Sequence, residues 1–176
     1  MENVYDLQID RIREKLAQTP DAWLYPPAST DQAEKAERDH SIHLPVAYRR
    51  FLLEVGDGGW LWGWPLYPLA KAVSITGGSL AASFPFTGNW RIDEQVEATL
   101  ISENRDYDLN GALPIFHFGC THSDILVTSG THAGTVMYDG LGTDQGLYPL
   151  HYRSRALYAA YRNRRTVQAA GLLRLV

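Results

Sequence analysis

The sequence predicts an α+β fold with N-terminal helices, a central antiparallel sheet of about five or six short strands and a C-terminal helix. Three observations carry that reading. Up to residue 55 apolar side chains recur at three- and four-residue spacing; from residue 60 to 150 they fall into short runs broken by Gly, Pro, Asn and Asp; beyond residue 154 the helical spacing returns. Helices first, strands together and a helix last is the order of an α+β domain and not of an alternating parallel one. With 176 residues and 45% hydrophobic content the chain fills one core and does not divide comfortably into two, so a single domain over 1–176 is expected.

Each element follows from its own residues. Tyr5, Ile9, Ile12 and Leu16 share one helical face over 4–16. Pro20, Pro26 and Pro27 then keep the chain extended. Ser29 followed by Gln32 is a capping box that opens a second helix ending near residue 40, with Ala33 and Ala36 as its thin apolar stripe. A third helix starts at Pro45 and carries Ala47, Tyr48, Phe51, Leu52 and Val55 on one face before Gly56 stops it. Strands are expected over 60–69, 112–118, 124–129, 134–139 and 147–150. A helix is expected within 91–103, from Ile92, Val96, Leu100 and Ile101, and a closing one over 154–170, with Leu157, Tyr158 and Tyr161 inward and arginines outward.

Composition narrows the function classes. The net charge of −4 argues against a dedicated nucleic-acid binder. Its distribution is uneven: over residues 1–144 ten basic residues face all twenty acidic ones, a net −10, whereas six arginines and no acidic residue follow. No run of about 18 apolar residues marks a membrane span, and the first residues, MENVYDLQID, have neither the basic nor the apolar region of a secretory signal, so a cytoplasmic location is expected. The single cysteine, Cys120, forms no internal disulfide.

Three stretches draw attention as chemistry. HFGCTHSD, 117–124, gathers His117, Cys120, His122 and Asp124, with His132 nearby. Zinc needs about four converging ligands, and the paired Cys-x-x-Cys spacing is absent, so a structural turn is favoured and neither metal nor cofactor is expected. GDGG, 56–59, precedes a strand and not a helix, so it lacks the helix N-terminus of a phosphate loop. Trp60, Trp62 and Trp64 alternate along the strand expected at 60–69 and would share one face opposite Leu61, either roofing the core or forming an aromatic recognition platform.

Residues 33–60, AEKAERDHSIHLPVAYRRFLLEVGDGGW, place a glutamate on a helix, a turn into Leu-Pro, an aromatic and a Phe-Leu pair on the next helix, and a glycine-rich end: Glu37, Leu44, Pro45, Tyr48, Phe51, Leu52, Gly56, Gly58 and Gly59. Residues 111–140 follow with a Leu-Pro strand at Pro114, a glycine turn, an apolar strand and a Gly-x-Val strand at Gly134. In this order the motifs resemble the SUKH superfamily. Two departures stand out: Ser41 occupies the position of the usual glycine before the Ile-x-Leu-Pro turn, and the C-terminal segment is rich in arginine and tyrosine where relatives are often acidic.

The resemblance implies a protein that binds and does not catalyse. Bacterial members are commonly immunity proteins that neutralise a polymorphic toxin, often a nuclease; yeast relatives are cell-wall regulators acting through protein contacts. The expected partner is a basic cognate toxin, docked by occlusion on Asp57, Trp60, Trp62, Glu103, Asp106 and Asp108, chosen as aromatic anchors and loop carboxylates. The alternatives are a regulatory scaffold and, more distantly, a Cys120-dependent hydrolase. No membrane or nucleic-acid contact is expected, and the oligomeric state is left open.

Overall fold

Apolar spacing, caps and prolines act here much as their local chemistry demands. The computed structural model describes residues 4–19, 21–61, 63–85, 110–119, 122–140 and 146–150. These form four helices, α1 (Val4–Ala17), α2 (Thr30–His40), α3 (Val46–Glu54) and α4 (Leu69–Ser74), and seven strands: β1 (Trp23–Leu24), β2 (Gly59–Leu61), β3 (Trp64–Leu66), β4 (Ala112–His117), β5 (Ser123–Val127), β6 (Val136–Gly140) and β7 (Gly146–Pro149). The helices expected over 91–103 and 154–170 lie outside the described residues.

The capping box of α2 is closed in both directions. The Gln32 N–H donates to Ser29 Oγ at 3.2 Å, and the Ser29 N–H donates to Gln32 Oε1 at 2.7 Å. The helix ends at Ser41, which takes the left-handed conformation (φ 53°, ψ 46°). Pro45 sits at the N-cap of α3, one position before the first turn, and its carbonyl accepts the Arg49 N–H at 2.9 Å. Tyr48, Phe51 and Leu52 are the buried stripe of α3. Gly56 does not end α3 by turning left-handed. It follows the Val55 C-cap, and a Cβ there would lie 2.8 Å from Leu24 Cβ, so close packing against the incoming strap is what requires glycine.

All strands are antiparallel neighbours in chain order, β1-β2-β3-β4-β5-β6-β7. The sheet thus has more strands than the five or six expected. One reason is β1, two residues in the proline-flanked stretch, too short to show any alternation. The other is that 60–69 is not one strand. It is a hairpin, β2 and β3 paired up to Leu61↔Trp64, followed by the start of α4 at Leu69. Gly63 supplies the positive φ of 85° that such a tight turn needs.

One face of the sheet packs on the helices through a core that includes Ile9, Ile12, Ala33, Phe51, Leu52, Leu61, Leu66, Leu69, Leu113, Phe116 and Leu126. The opposite face of β4–β7 carries a second buried cluster, Phe84, Ala112, Ile125, Val127, Met137 and Leu147. These strands are therefore buried on both faces, which explains their near-continuous apolar sequence. Between Pro114 and Phe116 the register of β4 against β5 shifts, a bulge that accommodates a residue with no N–H to give.

Candidate functional site

The residues of the SUKH-like motif hold the frame. Glu37 reaches across the turn after α2: its Oε1 accepts the Leu44 N–H at 2.9 Å, and its Oε2 accepts Arg49 Nε at 3.4 Å. One carboxylate thereby fixes both the entry to α3 and the angle between α2 and α3. Leu44, Tyr48, Phe51 and Leu52 are buried. Gly59 lies against β1, where a Cβ would strike the Trp23 carbonyl oxygen and come within 2.7 Å of Leu24 Cα. Gly134 turns the chain between β5 and β6, with φ 90° and its N–H given to Val127 O at 2.8 Å. A glutamate, a Leu-Pro turn and closely packed glycines here form a framework.

In HFGCTHSD, residues 117 and 123 pair at the end of the β4–β5 hairpin. The turn is closed by backbone bonds, Phe118 N–H to His122 O at 2.9 Å and His122 N–H to Gly119 O at 3.0 Å. The Gly119 N–H donates to His117 Nδ1 at 3.1 Å, so that ring nitrogen is an acceptor used by the turn itself. His122 Nδ1 is hydrogen-bonded to the Tyr138 hydroxyl, and the two rings stack at 5.7 Å with 17° between their planes. Asp124 is fully buried on the helix side, in register with Phe116 and Tyr138. Among the described residues no three His, Cys, Asp or Glu side chains gather to hold a metal ion, and Cys120 lies outside them.

Asp57 is placed differently from a free loop carboxylate. Its Oδ1 accepts the Leu69 N–H at 2.7 Å and so caps α4, while its own N–H donates to Pro26 O at 3.3 Å. Nearby, Tyr48 is buried with no partner for its hydroxyl among the described residues, and its pKa is pushed up, first by burial and then by the negative charge of Asp57.

The exposed aromatic residues gather at the β1 end of the sheet. Trp60 pairs with Trp23 on one side and with Pro65 on the other, so the three form a row across β1, β2 and β3. Leu61, the neighbour of Trp60, belongs to the helix-side core, so the row faces away from the helices. Trp23 and Trp60 are 49% and 41% exposed, and Tyr25 meets Trp23 edge to face at 5.0 Å. Trp64 does not join Trp60 on this face. Its partner in the hairpin is Leu61, which puts it on the other side by register, where its ring leans over Gly119. The expectation of one shared tryptophan face fails because the chain reverses between them.

Of the candidate contact residues, Asp57 and Trp60 are thus located, on opposite sides of the sheet, and Trp62, Glu103, Asp106 and Asp108 lie outside the described residues. Trp23 and Tyr25 were missed by the sequence reading. Their signal was the alternation Trp-Leu-Tyr in 23–25 just before Pro26 and Pro27, which is too brief to count as a period. Comparison with protein-family models finds no match, and no curated protein is significantly similar to the chain. No helix among the described residues is long and apolar enough to cross a membrane.

Proposed function

We propose that this chain is a non-catalytic, cytoplasmic binding protein of the immunity type, which neutralises a cognate toxin by covering its functional surface. The observation that carries the reading is the row Trp23, Trp60 and Pro65 with Tyr25 beside it, large aromatic side chains left in solvent on a sheet face that is otherwise buried. Such a patch has a cost in water and a use against a partner: tryptophan and tyrosine bury much area with few rotatable bonds and dominate binding energetics. The resemblance of 33–60 and 111–140 to SUKH immunity proteins supplies the biological class. A basic toxin would meet a surface of net negative charge over residues 1–144, and acidic side chains would occupy the place of phosphate if that toxin is a nuclease.

Co-expression tests the reading. A toxin gene is sought immediately upstream, and its product is induced in cells with and without this protein. Wild-type protein should restore growth, whereas the double variant Trp23→Ala, Trp60→Ala should fail to restore it while keeping the wild-type far-UV circular dichroism. Growth arrest that persists although both proteins are present would discard the immunity reading. A locus beside housekeeping genes, with no toxin, would favour the regulatory scaffold.

A further inference from the structure

On the helix side of the sheet, away from the aromatic row, α2 and α4 leave a slot of about 290 Å³ between them. Its lining is more apolar than polar, with Ala36 on α2 and Ala70 and Val73 on α4, while Gln32, Asp39 and His40 line it along α2. Asp57 stands in it as a carboxylate already fixed in direction, because Oδ1 is bound by the Leu69 N–H and the backbone is tied to Pro26. No described residue bonds to the other oxygen, Oδ2. The lysine in the lining, Lys35, is paired with Asp39 one turn along the same helix, so it does not neutralise Asp57.

Two further features describe the surroundings of this carboxylate. It is half-buried at the border of the core, near the buried Tyr48 hydroxyl, which has no hydrogen-bond partner among the described residues. A charge with low-polarity material behind it is screened less than one surrounded by water. The slot's lining is also more apolar than polar, which suits a methylene chain and leaves its charged end to be paired.

We propose that the α2–α4 slot binds an arginine side chain presented by another protein, with the alkyl stem along Ala36, Ala70 and Val73 and the guanidinium on Asp57 Oδ2. Arginine fits better than lysine because its more weakly hydrated, planar head loses less on leaving bulk water. The site is separate from the aromatic row, and it stands or falls without reference to any toxin.

The probe is N-acetyl-arginine amide, titrated into ¹⁵N-labelled full-length protein at pH 8, with N-acetyl-citrulline amide as the neutral isostere. The expected result is a saturable shift of the Asp57, Leu69 and Val73 amides with arginine, and none with citrulline. Asp57→Asn keeps an oxygen to cap α4 and removes the charge; it should weaken the arginine complex by about tenfold or more, as expected for loss of a partly buried charged partner. Ala70→Leu should fill the slot and abolish the shifts while leaving Asp57 in place. Equal shifts from the two probes, undiminished binding by Asp57→Asn, or shifts confined to residues elsewhere would each overturn the assignment.

Discussion

Ser41 shows how a single residue can keep a fold while straining it. It caps α2 in the left-handed conformation, its N–H turned back to the carbonyls of Glu37 and Arg38, at the position where SUKH-like sequences usually have glycine. A side chain in that conformation costs about 1–2 kcal/mol, and glycine escapes most of it. Ser41→Gly should therefore raise the unfolding free energy by about 1 kcal/mol after the larger unfolded-state entropy of glycine is set against the relief, measured by urea denaturation. A loss of stability would mean that the serine hydroxyl contributes more than the strain it imposes. Tyr48 offers the opposite case, a buried hydroxyl that meets no acceptor among the described residues. An orphaned hydroxyl in a dry site is a desolvation cost without return, so Tyr48→Phe should leave stability equal to the wild type or higher by up to about 1 kcal/mol. Loss of more than that would reveal a partner for the hydroxyl.

Among the elements, α3 gives three side chains to the helix-side core, Tyr48, Phe51 and Leu52, which cluster with Leu61, Leu66 and Phe116. Phe51→Ala should cost about 3–5 kcal/mol, the range for deleting a buried aromatic ring. A change near zero in a thermal or urea melt would show α3 to be turned the wrong way. The joint between α3 and α1 adds ion pairs to its apolar packing. Arg50 binds Glu54 with two hydrogen bonds, at 2.6 and 2.9 Å, and Asp6 of α1 at 2.7 Å, while Arg13 of α1 donates to the Glu54 carbonyl at 3.0 Å. The hydrogen bonds from Arg50 hold the Glu54 carboxyl below its usual pKa. A carboxyl whose folded pKa is depressed contributes stability above its unfolded value, near 4.3, and loses it as pH falls through the folded value. The Tm of the wild type should thus fall more steeply between about pH 5 and 3 than that of Glu54→Gln, and the two curves should converge at the acid end; parallel curves would leave the pair without a role in docking α1.

The whole molecule is divided in charge and in the character of its sheet. Strands β4–β7 are buried on both faces, and the β1–β3 end is buried on one and aromatic on the other, so the free face lies at the end that begins with the short edge strand β1. Pro26 and Pro27 follow β1 almost at once and limit the length of edge open to pairing with other chains. With −10 over residues 1–144, a basic partner should be drawn in by long-range attraction, which salt screens over about 8 Å at physiological strength. Stopped-flow association with the cognate toxin should slow strongly as salt is raised, with less change in the off-rate. Reversing Asp106 and Asp108 to lysine should mimic high salt, whereas reversing arginines among 153–165 should do little. If the arginine reversals abolish binding and the aspartate ones do not, the contact surface is basic and its partner acidic; an on-rate indifferent to salt would leave the tryptophan row as the better site.

What the sequence determined by itself is everything that chemistry fixes within a few residues of chain. The capping box at Ser29, the apolar stripe of α3 and the runs that became β4–β7 were all legible, because caps, helical periodicity and strands buried on both faces leave dense local signals. The tertiary structure decided what depends on partners distant in sequence. The pairing of Leu61 with Trp64 set Trp60 and Trp64 on opposite sides, and only the pairing of β1 with β2 brought Trp23 beside Trp60, 37 residues away, to make a surface that neither segment has alone. Asp57 read as a free loop carboxylate until the cap on α4, itself too short to show a period, took one of its oxygens and aimed the other. A side chain's type is local information, but its orientation and neighbours are set by register and packing, and those are properties of the folded chain.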